Sequence, residues 1–385
     1  MAQVRTVING QELSRFKAFN LVESIDQLSI GLTFTAIPNK DQEFIIKELD
    51  PVTIYIDDEI QMVGQIEAYD DNGTSGDRVI QFRARDILKD VIDSSLDVGL
   101  EISSPISLQA LIRQVLNHMG FDKIKVLNPY NIKIDKFTKD ELISPEPTEK
   151  GFSFLDRYCQ QRQVFLGNDG KGNIIIQRRS GIKGSGSLIS RFNETGNVLS
   201  RQIKSQSQER YATYKVITQQ NPSSLISIDP SSISNQSGIA IDKEIERLAK
   251  NRKIVFRLEN SGSSKDCLER AKWQSNYSRA VAKEMIFTVQ GFYQENGNLW
   301  KPNILIPVID EYSGTDTQML VRSVRKTKTI GNGEITELSL IPPDSMIPKP
   351  TSKSKNIANK YKGGENPNLK YQEEATAILE GLKSK

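Results

Sequence analysis

Apolar and polar positions alternate in short runs through residues 3 to 95. Val52, Ile54 and Ile56 form one such run, and Met62, Gly64 and Ile66 the next. A period of two is the mark of a half-buried strand. Asp57-Asp58-Glu59 is the expected turn between these runs, "DNGTSGD" a second turn, and "RVIQFRARD" a third strand. The period then changes. Leu108, Leu111, Ile112, Val115, Leu116 and Met119 share one helical face, with Ser104 expected as the cap, Pro105 in the first turn and Gly120 at the end. "GFSFLDRYCQQRQ" predicts a short second helix with Phe154, Leu155, Tyr158 and Cys159 on its apolar side. "VFLGNDGKGNIIIQRR" predicts a hairpin turned at Asn168-Asp169-Gly170.

Strand character returns from Asn197, as in "RYATYKVITQQ". Residues 221–237 are rich in Ser, Pro and Asn and predict a surface insertion. "SSKDCLERAKWQSNYSRAVAKEM" predicts a helix opened by a capping box of Ser263 and Asp266, burying Leu268, Ala271, Trp273, Tyr277, Ala280 and Val281. In "QGFYQENGNLWKPNILIPVID" a tight turn is expected at Asn296-Gly297, with Trp300 packed on the Arg270–Val281 helix. Two strands joined by Gly331-Asn332-Gly333 follow.

The two β regions share an order of elements: proline, apolar strand, acidic turn, Gln-Met strand, Asn-Gly turn, strand. That order predicts two copies of one small β-barrel, with Pro51 matching Pro302 and Asn72-Gly73 matching Asn332-Gly333. The expected fold class is a β-rich α+β, multidomain chain: two similar small β-barrels with an α+β domain between them. The expected boundaries are 1–95 for the first barrel and 96–190 for the α+β domain. The second barrel spans 191–345, with an inserted loop and helix at about 221–285, and an extended C-terminal arm covers 346–385. In that Lys-rich arm Tyr371, Ala375, Ile378 and Leu382 fall on one helical face, a candidate surface for a partner.

Composition narrows the chemistry. A formal net charge of +3 is small for 385 residues and argues weakly against a dedicated nucleic-acid binder, and no sequence-specific nucleic acid is expected as a partner. No glycine-rich phosphate loop and no Gly-x-Ser-x-Gly elbow occurs. Cys159 and Cys267 read as buried reduced thiols, and His118, the sole histidine, sits near a helix end. The carboxylate pairs, Asp57-Asp58-Glu59 and Glu373-Glu374, read as solvated turn and helix-face charges rather than a glycosidase pair. No catalytic residue, cofactor or metal is expected. The N-terminal segment lacks the apolar core of a secretory signal, and "ILIPVI" is too short to cross a bilayer, so no membrane insertion is expected.

Three stretches, "NVLSRQIKSQSQERYATYKVITQQ", "RAKWQSNYSRAVAKEMIFTVQGFYQENGNLWKPN" and "FLDRYCQQRQVFLGNDGKGNIIIQR", carry a family resemblance. From about residue 3 to 345 the chain resembles the baseplate hub proteins of Mu-like contractile-tailed phages. Their wider kin are the late control gene D tail proteins and the hub half of type VI secretion spikes. The signature is Arg270, Ala271 and Trp273, then Gly291, Trp300, Pro302 and Asn303; Phe292 stands where the family usually has Trp. The resemblance implies a virion component assembled in the bacterial host cytoplasm. It implies a homotrimer whose barrels form a ring of six, adapting a six-fold tail tube or tube-initiating protein to a trimeric tail spike, with DNA passing through a central channel. Other baseplate proteins would bind through the arm. The rival expectations are a tail-tip cell-wall hydrolase or glycan-binding module, with Trp273 and Trp300 as sugar platforms, and a type VI-like spike hub.

Overall fold

The computed structural model describes residues 2–343, apart from residues 14, 39–44, 75–77, 98, 140, 142, 179–181, 194, 219–235 and 259–262. Most of the Ser-rich segment, and all of Tyr371, Ala375, Ile378 and Leu382, lie outside the described residues.

The first β unit holds β1 (Val4–Ile8), β2 (Gln11–Leu13), β3 (Phe16–Ser24), β4 (Gly31–Ala36), β5 (Pro51–Ile56), β6 (Glu59–Gly73) and β7 (Arg78–Asp86). The alternation is realised: Val52, Ile54 and Ile56 of β5 are buried, and the chain reverses through Asp57 and Asp58 into β6. Phe34 and Phe82 stack at 5.3 Å in its core.

An α+β unit follows, with α1 (Lys89–Asp93), α2 (Leu108–His118), β8 (Val126–Leu127), α3 (Gly151–Gln161), β9 (Phe165–Asn168) and β10 (Ile174–Gln177). Its strands form a separate sheet in the order β8-β10-β9. The cap of α2 is Ser107, whose hydroxyl accepts from the Ala110 amide at 3.2 Å, and not Ser104. The helix starts late because Ile106 is held in a two-way backbone bridge with Phe137, at 3.2 and 2.8 Å.

The second β unit opens with β11 (Leu188–Ser190) and β12 (Val198–Ser205). Where the sequence predicts a loop and helix, the described residues hold a compact insertion. It consists of β13 (Thr213–Ile217), β14 (Ser237–Ile241), α4 (Lys243–Ala249), β15 (Lys253–Arg257) and α5 (Ser264–Val281), with the strands ordered β14-β13-β15. α5 opens with the expected Ser263–Asp266 capping box. β16 (Lys283–Gln290), β17 (Leu305–Asp310), β18 (Thr315–Thr329) and β19 (Gly333–Ile341) complete the unit.

The two β units repeat each other in topology. The order β3-β4-β7-β6-β5-β1 recurs as β12-β16-β19-β18-β17-β11. Only the last pair differs, since β1 runs antiparallel to β5 and β11 parallel to β17. Register breaks recur too. One falls between Phe16 and Ala18 and again between Val198 and Ser200. Another falls between Ile66 and Ala68 and again between Val321 and Ser323. The connectors, residues 37–50 and 291–304, are equal in length. Each carries a left-handed non-glycine at the same point, Leu49 with φ 67° and Asn303 with φ 66°. The Leu49 amide donates to the Ile66 carbonyl at 2.8 Å, and the Ile66 amide to the Asp50 carbonyl at 3.0 Å. In the second unit the Asn303 amide donates to Val321 at 2.8 Å and the Val321 amide to Ile304 at 2.9 Å. These counterparts correct the sequence alignment. Pro51 opens its strand and corresponds to Leu305, whereas Pro302 stands inside the connector. Asn72 and Gly73 pair within β6 and β7, while Asn332 lies in the turn before β19.

Candidate functional site at the junction of the two β units

The two units are joined edge to edge. The outer half of β18 pairs antiparallel with β3, from Ser323 opposite Ser24 to Thr329 opposite Ala18. One main sheet of 13 strands results. At the centre of this seam Lys326 is fully buried and donates to Glu23 at 2.6 Å. A buried ammonium costs several kcal/mol to desolvate and persists only when paired. Lys326 alternates with buried Val324, so a lysine at an inward position of the strand is the sequence signal of this contact. Arg322 pairs with Asp26 at the end of the seam, and Lys328 reaches the Ala2 carbonyl and Glu334.

The connector 291–304 completes the junction. Gly291 takes φ 76°, which redirects the chain as β16 ends. Its neighbour Phe292 and then Leu299 leave the second unit and join the core of the first, with the Phe292 ring 6.2 Å from Phe19. The hairpin between them turns as expected, with Gly297 donating to the Gln294 carbonyl at 3.0 Å. The Tyr293 hydroxyl donates to the Asp57 carboxylate, and this bond holds Asp57 below its ordinary range. Lys301 pairs with Glu59 at 3.2 Å. The β5–β6 turn, one of the acidic clusters weighed as a glycosidase pair, is thus part of the seam.

Trp300 points the other way from Leu299. It is buried with Leu188, Phe287 and Leu338 in the core of the second unit. The expected packing on α5 is not seen, because α5 buries Cys267 and Ala271 in a separate core with Val216 and Ala240. Asn303 donates its side-chain amide to Gln177 and to the Arg178 carbonyl, both at 3.0 Å, tying the α+β unit to the second β unit. Pro302 and Asn303 also wall a cavity of about 180 Å³ where the three units meet. Where the α+β unit meets the first β unit, the Asp86 carboxylate accepts from Ile30, Leu88 and Asn168. Burial pushes its pKa up to about 6.

The remaining signature residues serve the insertion. Ala271 is buried, and the Arg270 guanidinium lies 4.4 Å from the Trp273 ring, which stacks on Tyr277 at 5.0 Å. The structure therefore brings Gly291, Trp300, Pro302 and Asn303 together on one connector and leaves Arg270, Ala271 and Trp273 on α5. His118 is exposed at the end of α2, and both cysteines are buried. Among the described residues, no group of three or more His, Cys, Asp or Glu is placed to hold a metal, and no helix is long and apolar enough to cross a membrane.

Residues 263–349 match the family model of the Mu phage baseplate assembly protein GpP, fourth domain. The baseplate hub protein gp44 of Escherichia phage Mu is 24% identical over 223 residues. That match covers 57% of this chain and 55% of gp44, so the chain spans little more than half of that relative's length. The 43 kDa tail protein of prophage MuSo2 from Shewanella oneidensis superposes with a TM-score of 0.76 at 22% identity, covering 90% of this chain and 100% of that one. A tail protein from Neisseria meningitidis MC58 gives 0.70 at 17% identity, covering 91% and 99%. The resemblance read from the sequence is borne out: the chain is similar to Mu-type phage baseplate proteins, and its residues 263–349 match the GpP fourth-domain model.

Proposed function

We propose that the chain is a non-enzymatic structural hub of a contractile phage tail. In this reading each β unit is one small barrel, and three chains assemble a ring of six. The ring adapts a six-fold tail tube to a three-fold central spike and leaves a channel for DNA, placing the protein in the tail baseplate of the virion. The observation that carries the reading is the repeat. Two units with the same strand order and two matched register breaks are fused edge to edge in one chain, which is how a three-fold object presents six near-equivalent positions. The junction supports it further. Asp57 and Glu59 are engaged in holding the units together, and Trp300 is buried in a core, so neither supplies a glycan-working surface. Residues 346–385 are the arm that would reach a neighbouring baseplate component.

The test is the mass of the particle in solution, alone and with a trimeric spike protein. The expected result is three times 43.3 kDa and a stoichiometric complex with the spike. A chain that stays monomeric with and without the spike, or that turns over peptidoglycan, would overturn the reading.

A further inference from the structure

The internal junction is a template with one copy missing. β3 receives β18 on its outer edge, but its counterpart β12 pairs only with β16 among the described residues. β18 gives its outer half to β3, but beyond Ile66 its counterpart β6 pairs, among the described residues, only with β7. The connector repeats the pattern. Equal length and the matched left-handed residues align Ile45 with Leu299 and Ile46 with Trp300. Ile46 and Trp300 both enter the core of their own unit, at 4% and 5% exposure. Leu299 enters the other unit's core, whereas Ile45 is 60% exposed.

We propose that these open surfaces are filled by a second copy of this chain, with the outer half of β6 pairing antiparallel with β12 of the next copy in the register that β18 and β3 use within the chain. This rests on the trimeric hub reading and specifies its contact. Arg325 faces Val22 in the internal seam. Their counterparts, set by the matched register breaks, are Asp70 and Lys204. The proposed seam therefore opposes Asp70, which is exposed, to Lys204, whose side chain is 57% exposed. Its polarity is the reverse of the internal seam, where the cation is Lys326 on β18 and the anion Glu23 on β3. Reversal gives specificity, because a basic β18 brought against a basic β12 is repelled. Ile45 would enter the second unit's core as Leu299 enters the first's, beside the counterpart of the β5–β6 turn that Tyr293 and Lys301 meet within the chain. That counterpart is the β17–β18 turn, where exposed Tyr312 lies 4.4 Å from exposed Phe192.

The experiment uses the full chain with Asp70→Cys and Lys204→Cys together, oxidised and run under denaturing conditions, beside Ile45→Asp, Asp70→Lys and Asp70→Lys/Lys204→Asp by native mass spectrometry. Directly opposed strand residues lie about 4.5–5.5 Å apart at Cα, within disulfide reach. The expected results are a covalent closed trimer for the cysteine pair, and at least a tenfold rise in the concentration needed for half assembly for Ile45→Asp and Asp70→Lys. The double charge reversal restores assembly. Far-ultraviolet circular dichroism of every variant matches wild type, because all three side chains are exposed in the single chain, so lost assembly is not lost folding. A wild-type trimer that gives no crosslink and ignores Ile45→Asp overturns this contact and leaves the hub reading standing. A wild type that never trimerises overturns both.

Discussion

Phe292 is fully buried, yet it belongs by sequence to the second β unit and by packing to the first. Replacing it with alanine tests the junction directly. Removing a buried phenylalanine ring costs about 3–5 kcal/mol, the loss of its transfer free energy plus the cavity left behind. The cavity would open beside Phe19, the ring 6.2 Å away, and behind it the Phe19–Phe34–Phe82 group. The damage is therefore expected across the seam from the substitution. Native-state hydrogen exchange read by mass spectrometry locates it. Protection should fall in β3 and β4 by two to three orders of magnitude, since each 1.4 kcal/mol is a factor of ten. It should hold in β16, β17 and β19. Trp300→Ala gives the mirror pattern, because Trp300 belongs to the second core. If Phe292→Ala loosened only residues 283–341, the ring would not be part of the first unit's core, and the account of the junction would fail.

Trp300→Ala should cost roughly 3–5 kcal/mol in denaturant unfolding and leave any cell-wall glycan binding unchanged; normal stability with lost glycan binding would contradict its core role. Gly238→Ala should destabilise by at least ~2 kcal/mol and detach α5, because a Cβ there would sit 2.1 Å from the Leu268 amide nitrogen; circular dichroism melts check it. The Asp86 carboxyl has a folded pKa near 6, above its ordinary 3.8, so the folded chain holds the proton more tightly. Its contribution to stability therefore grows as pH falls from 7 to 4, by roughly 2 kcal/mol, and is fully present only once the pH is below the unfolded value of 3.8. Measured against Asp86→Asn across that range, wild type should gain relative stability as the solution is acidified, and a flat difference refutes the shift. Deleting residues 351–385 should leave trimer mass and spike binding intact while blocking assembly of the surrounding baseplate; loss of the trimer would place the arm within the hub.

What the sequence made legible was local. The period-two runs of β5 and β6, the Ser263–Asp266 box and the Asn296-Gly297 turn each depend on residues within a few positions of one another, and each was read correctly. The cap of α2 was misplaced because Ile106 answers to Phe137, a partner across the fold. The strands beside α5 were only partly seen, since their exposed face carries Ile239, Ile241 and Val255 and blurs the alternation. Trp300 was sent to the wrong core because Leu299 and Trp300, adjacent in sequence, point into different units. The repeat was visible as an order of elements but not residue by residue. Its anchor is a left-handed backbone at Leu49 and Asn303, and leucine gives no hint of that conformation.

The seam also sets a clock on synthesis. Glu23 and Lys326 are 303 residues apart in the chain. At ~5–20 residues per second, a ribosome needs roughly 15–60 s to deliver β18 after β3 has emerged. Through that interval the first unit carries an open strand edge, an unpaired Glu23 and a core lacking Phe292 and Leu299. Its folding is finished by the last strands made, so a ribosome that stops before β18 releases a unit that is apolar, edge-exposed and prone to aggregate. Premature termination anywhere before β18 is complete thus leaves the first unit unfinished as well, although its own strands have all been made.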